Sequence, residues 1–158
     1  MPQPDINPTL DSITSSLFRV SAKLLVIQDS KLLVVHEQQG WFGLPGGGVD
    51  HGENIIEGLA REISEELGCQ VGPTAVMPLP TLIDSATVFD GIPRLTLFYE
   101  QVAGAVRLTP RRVELDYRWV TLEELSTLPL GPNIDSMRQA IRKLLAENYD
   151  MQSSSEQL

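Results

Sequence analysis

The stretch from Asn54 to Leu67 constrains this chain more than any other. Ile55, Ile56, Leu59, Ala60, Ile63 and Leu67 recur there at helical spacing, so the segment is expected to form a helix with one buried face. Gly68 follows at the position of a left-handed C-terminal cap. With Ile55 at zero and about 100° per residue, the apolar side chains fall between roughly 0° and 140°, Glu66 near 20°, Glu62 near 340° and Glu65 near 280°. Three acids therefore gather beside the apolar stripe. Glu57, near roughly 200° by the same rotation, reads as an ordinary solvated residue.

That cluster does not favour an isolated helix. Glu65 and Glu66 occupy the last turn, where the negative end of the helix dipole disfavours an acid by roughly 0.3–1 kcal/mol. The 62/66 and 62/65 spacings bring like charges together at about 0.2–0.5 kcal/mol per pair. Arg61, the sole base of the helix, cannot neutralise three carboxylates. A solvated acidic face is the plain alternative, but a divalent ion would remove the penalty. Oxygen ligands without a Cys or His cluster favour Mg²⁺, or Mn²⁺.

The segment Trp41-Phe-Gly-Leu-Pro-Gly-Gly-Gly48 lies just before the helix. Proline beside three glycines is neither helix interior nor regular strand, so a shaped loop is expected. Its amides can approach phosphate oxygens unobstructed, and a carbonyl can turn inward toward a metal. Tight turns alone also use such glycines.

Elsewhere, Phe18–Gln28 and Lys31–His36 read as a hairpin turning at Asp29-Ser30. Further strands are expected over Gln70–Pro78, Arg94–Val102 and Tyr117–Val120. Thr121-Leu-Glu-Glu124 matches a capping box opening a short helix. Ile134, Met137, Ile141, Leu144 and Leu145 mark a last amphipathic helix beginning just after Pro132-Asn133. This order implies an α/β (α+β) chain with a mixed sheet covered by helices on both faces. One domain over 17–148 is expected, between flexible segments at 1–16 and 149–158.

Length and composition narrow the function. A chain of 158 residues with 42% hydrophobic and 21% charged residues can bury a core without disulfide or structural metal. Cys69, the single cysteine, excludes an internal disulfide and a Cys-based zinc cluster and fits a reducing compartment. A net charge of −9 repels phosphate backbones, so no stable nucleic-acid binding is expected. Apolar runs are strand-sized and the N-terminus lacks a secretory pattern. A cytoplasmic location is the expectation.

Gly47, five residues, Glu53, seven residues, then Arg61-Glu62-Ile63-Ser64-Glu65-Glu66-Leu67-Gly68-Cys69 resembles the signature of the Nudix hydrolase family. Cys69 stands where that family usually has an aliphatic residue, and it can pack as a small hydrophobe. The resemblance implies an α/β/α sandwich and metal-dependent cleavage of a phosphoanhydride in a nucleoside diphosphate linked to another group. Glu65 and Glu66 match metal-binding carboxylates. Glu62 matches a position that binds metal, orients water or acts as general base in different members. Arg61 matches a residue orienting the acids, Glu53 a supporting carboxylate, and the Gly47 carbonyl a metal ligand flanked by Gly46 and Gly48. Glu62, Glu65 and Arg61 are thus the candidate catalytic set. Family members often associate, so a homodimer belongs to the same expectation.

Outside the signature, Glu114 and Asp116 are candidates for a further acid, with an exposed loop as the alternative. Trp41, Phe42 and Tyr99 read first as core residues, with stacking on a base as the alternative that makes them candidate substrate contacts. His36 is a candidate for phosphate contact, with a plain strand-end polar residue as the alternative. Arg94, Arg111 and Arg112 read first as scattered surface charge, with phosphate contact as the alternative. A Nudix-fold domain that senses a nucleotide or binds a partner without hydrolysis is the competing function.

Overall fold

The computed structural model describes residues 18–84, 88–89 and 91–155, with backbone only for 80–84, 88–89 and 148–155. Strands β1 (Arg19–Leu25), β2 (Ile27–Gln28), β3 (Lys31–His36) and β4 (Phe42–Gly43) precede helix α1 (Ile55–Leu67). Strands β5 (Val76–Asp84), β6 (Val88–Phe89), β7 (Ile92–Gln101) and β8 (Asp116–Val120) follow. The chain closes with helices α2 (Leu122–Thr127), α3 (Pro132–Asp135) and α4 (Arg138–Ser155).

The α+β class with a mixed sheet and covering helices is as expected, with the strands arranged in two four-stranded sheets. The first has the order β1-β7-β5, with β6 on β7. In it β1 runs parallel to β7 and β5 antiparallel. The second has β2-β3-β4, with β8 on β3, all antiparallel. The expected strand over Phe18–Gln28 is therefore divided, and its two parts serve different sheets. Only β2 forms the hairpin with β3, through Asp29 and Ser30 at φ 50° and 59°. Positive φ at both central residues is the turn whose twist matches paired strands.

Alternation along the strands builds two cores. Leu24, Val26, Leu33 and Val35 pack with Leu59, Ile63 and Leu67 of α1. Leu25, Leu32 and Val34 pack with Leu125, Ile134, Ile141 and Leu145 of the C-terminal helices. Both faces of these strands are thus covered by helices, as the apolar patterning predicts.

Three boundaries differ from the sequence reading. The strand expected at Gln70 begins at Val76, because Gly72-Pro73 turns the chain first, with Ala75 N donating to the Gly72 carbonyl at 3.0 Å. The last helix is two helices, α3 starting on Pro132 and α4 on Arg138. The backbone of α4 continues through Ser155, into the stretch read as a tail from 149. An established helix extends without a second nucleation step and needs no apolar face to do so. The N-terminal segment 1–16 lies outside the described residues. Among the described residues, no helix is long and apolar enough to cross a membrane.

Candidate active site

Helix α1 is fixed at both ends by its own sequence. Asn54 Oδ1 accepts from Glu57 N at 3.0 Å while Glu57 Oε2 accepts from Asn54 N at 2.8 Å. This reciprocal pair is a capping box, so Glu57 has a structural task beyond solvation. Gly68 ends the helix at φ 61°, its N–H donating to the Ser64 carbonyl at 2.9 Å. The acid-bearing turns are held between those caps.

The glycine loop lies antiparallel against β1. Leu24 N donates to the Pro45 carbonyl and Ala22 N to the Gly47 carbonyl, both at 2.9 Å, and Val49 N donates to the Val20 carbonyl at 3.0 Å. Gly46 sits at φ 113°, and a Cβ there would strike the Ala22 carbonyl. A Cβ at Gly47 would fall 2.6 Å from the Glu62 carboxyl, and one at Gly48 would enter the Arg19 guanidinium. The glycines therefore let the loop touch both the strand and the helix.

Arg61 gathers the acids. Its Nη2 and Nε donate to Glu53 Oε1 at 2.8 Å and Oε2 at 3.1 Å. Nη1 donates to Glu62 Oε1 at 3.0 Å and Glu65 Oε2 at 3.3 Å, and Nη2 also to the Gly48 carbonyl at 2.9 Å. Those bonds from Arg61, followed by the Asp50 N–H, hold Glu53 down to about 2. One planar guanidinium thus joins helix and loop through several donors at once.

Glu66 is different, being 8% exposed within the packed helix face. Burial pushes its pKa up to about 7, although Lys23 and the Gly46 N–H, at 2.9 Å from Oε2, oppose the rise. Lys23, on β1 and 5% exposed, donates through Nζ to the Gly46 carbonyl at 2.5 Å and lies 3.5 Å from Glu37 Oε1. Sequence reasoning passed over Lys23, Glu37 and Arg19. The available signal was Lys23 itself, a lone charge inside the apolar run Val20 to Val26.

Among the described residues, no three His, Cys, Asp or Glu side chains already converge on an ion-holding point. The reason is visible in the hydrogen bonds: Glu62 and Glu65 face Arg61, and Glu66 faces the loop. Glu62, Glu65 and Glu66 are the carboxylates that could hold a metal, and an oxygen-only set of this kind suits a hard dication.

The outlying candidates divide. Asp116 is exposed and paired with Arg112 Nε at 2.9 Å. Glu114 is exposed, and its backbone N–H donates to the Glu66 carbonyl at 3.3 Å, which sets its loop against the end of α1. Trp41 is half-buried, with Nε1 donating to Glu37 Oε2 at 3.2 Å. His36 and Phe42 face one another at 5.0 Å between ring centroids, and Arg118 lies 5.8 Å over Phe42. Arg94 pairs in register with Arg19 across β7 and β1. Tyr99 is 8% exposed in the core beneath α1, the packing reading of this residue, because its position on β7 directs it there rather than to the loop.

A helix carrying three acids behind a triglycine loop, on strands covered by helices on both faces, is the framework of a hydrolase of the Nudix class. The NUDIX domain profile matches residues 17–145, and the chain belongs to that family. It is 35% identical over 100 residues to the nucleoside triphosphatase NudI of Enterobacter sp. strain 638, covering 58% of this chain and 70% of that protein. It is 37% identical over 92 residues to NudI of Escherichia coli O139:H28, covering 54% of this chain and 65%, just under two thirds, of that relative. The crystal structure of a MutT NUDIX hydrolase from Burkholderia pseudomallei aligns with TM-score 0.56 and 26% identity, over 81% of this chain and 98% of that one.

Proposed function

We propose that this chain is a divalent-metal-dependent pyrophosphohydrolase acting on a nucleoside diphosphate linked to another group, with a nucleoside triphosphate as the first substrate to test. The observation that carries the reading is the set of carboxylates bound to Arg61 beside the buried Glu66, all against one glycine loop. The nucleoside triphosphatase relatives support the substrate class. In a nucleoside triphosphate the other group is simply phosphate.

Glu62, Glu65 and Glu66 would hold Mg²⁺ or Mn²⁺, with the Gly47 carbonyl, which already accepts from Ala22 N, offering its second lone pair. Such an ion supplies charge neutralisation of the polyphosphate and a more acidic attacking water. Arg61 holds Glu62 and Glu65 through Nη1, with the Glu62 carboxyl beside Gly47, and these carboxylates would orient the water and take its proton. The water oxygen forms a bond to phosphorus, the anhydride P–O bond breaks, and the departing phosphate carries away its electron pair. Asp116 and Glu114, from the loop and strand beyond α1, are the candidates for an additional acid.

The test is a substrate panel of nucleoside triphosphates, ordinary and oxidised, with ADP-ribose, NADH, nucleotide sugars and dinucleoside polyphosphates, in Mg²⁺ or Mn²⁺. Products are resolved by phosphorus NMR. A nucleotide product that vanishes with chelator supports the proposal. Stoichiometric nucleotide binding with no phosphate-containing product overturns it in favour of a sensing or partner-binding role.

A further inference from the structure

A second chain of polar groups reaches the site from the opposite side to Arg61. Trp41 Nε1 donates to Glu37 Oε2 at 3.2 Å, Glu37 Oε1 lies 3.5 Å from Lys23 Nζ, and Lys23 Nζ donates to the Gly46 carbonyl at 2.5 Å. The same Gly46 peptide unit's neighbour, the Gly46 N–H, donates to Glu66 Oε2 at 2.9 Å. Gly43 makes room for this chain, since a Cβ there would collide with the Glu37 carboxylate. The link from aromatic side chain to buried acid is therefore continuous.

Stability alone gives a poor reason for Lys23. Burying an ammonium carries a desolvation penalty that an ion pair often fails to recover, and an apolar side chain of similar volume packs as well. Its exposure of 5% also removes it from direct contact with a substrate in solution. What its ammonium does touch is the backbone of Gly46, at φ 113°. A glycine there has other conformations open to it, and the two hydrogen bonds, one at its carbonyl and one at its N–H, select a single one.

We propose that Lys23 is a positioning residue for the acidic site: anchored by Glu37, its ammonium fixes Gly46 so that Glu66 is held against the loop and Gly47 stays against Glu62. The inference rests on the hydrolytic reading above and extends it to the device that sets the loop. Arg61 then orders the acids from the helix side, and Lys23 orders the loop from the strand side.

Lys23→Met preserves length and apolar volume while removing the charge. Three measurements are made: steady-state hydrolysis of a nucleoside triphosphate, Mn²⁺ binding without substrate by EPR, and exchange of the Gly46 and Gly47 amides by NMR. The expected result is a kcat lower by about 10–100-fold, with KM within about twofold, as for loss of a group that orients ligands. Mn²⁺ binding weakens, and the Gly46 amide exchanges faster by about tenfold while amides in the middle of α1 keep their rates. Mere removal of a repelling cation predicts the opposite, tighter Mn²⁺ binding. Parental kcat, tighter Mn²⁺ binding or an unchanged Gly46 amide overturns the proposal.

Glu37→Gln is the companion variant and decides the question if Lys23→Met does not fold. It keeps a hydrogen-bonding side chain for Trp41 but removes the charge facing Lys23, and the same changes are expected at about 3–10-fold. Parental kcat and parental Gly46 exchange in that variant overturn the proposal. If the parent protein hydrolyses no nucleotide, the hydrolytic reading fails, and the Gly46 exchange rates still decide whether Lys23 sets the loop.

Discussion

Arg61 grips Glu53 with two parallel hydrogen bonds, Nη2 to Oε1 at 2.8 Å and Nε to Oε2 at 3.1 Å. The pair joins α1 to the loop before it, and the same guanidinium also reaches Glu62, Glu65 and the Gly48 carbonyl. Arg61→Lys keeps the charge, but a single ammonium cannot span both Glu53 oxygens and these other acceptors. Turnover at saturating metal is expected to fall by about 10–100-fold. Steady-state kinetics with unchanged kcat would remove Arg61 from the orienting role.

Two glycines of the loop are expected to respond differently to alanine. At Gly47 the new Cβ meets the end of the Glu62 side chain, which can move. Gly47→Ala should therefore displace that carboxylate and reduce turnover by about tenfold or more, with little change in the urea midpoint. At Gly46 the obstacle is the Ala22 backbone, and φ is positive. Gly46→Ala should lower stability by about 1–3 kcal/mol, read from the same urea titration. Equal midpoints for the two variants would contradict this ordering.

Glu66→Gln separates activity from stability. The amide keeps an acceptor for the Gly46 N–H, and the variant no longer has a carboxylate that burial raises to about 7. Turnover is expected to drop by at least about 100-fold, as for a metal-orienting group at the upper end of its range. The metal-free melting temperature at mildly alkaline pH should not fall. Substantial turnover in this variant would count against Glu66 as a metal ligand.

The Arg61–Glu53 pair also sets an acid-stability window. Glu53 titrates at about 2 when folded, against its ordinary 4.5. Because the folded value is the lower one, its stabilisation is complete above 4.5 and is lost as pH falls through about 2. Glu53→Gln should accordingly lower the urea midpoint at neutral pH, and its deficit against the parent should narrow as pH falls from 4.5 towards 2. An equal deficit across that window would show that the carboxylate charge contributes nothing.

Asn54→Ala tests the helix frame apart from the chemistry. Loss of the cap to Glu57 N is expected to lower stability by about 1 kcal/mol. Measured well below the melting temperature, kcat should stay near the parental value. A large loss of kcat would mean that the cap reaches the acids directly.

Much of the site was readable because it is local. The spacing of Glu62, Glu65 and Glu66 on α1, the cap at Gly68 and the glycines next in sequence all lie within a short segment, where helix rotation alone relates one side chain to another. The capping box at Thr121 was likewise legible, with Glu124 Oε2 accepting from Thr121 N at 2.8 Å and Thr121 Oγ1 accepting from Glu124 N at 3.2 Å. Glu57 shows the limit even of local reading. Its wheel position identifies an exposed face but not the bond it makes to Asn54 N.

The sequence alone determined the acid-bearing helix, its end at Gly68 and the loop before it, because short-range geometry and backbone sterics decide those features. Tertiary structure alone decided that Phe18–Gln28 would serve two sheets and that Lys23 would come to rest at the Gly46 carbonyl. Those outcomes depend on pairing between strands far apart in the chain, such as Lys23 beside Phe98 in β7. Periodicity says which residues share a face of a strand, while only the assembled sheet supplies what that face meets.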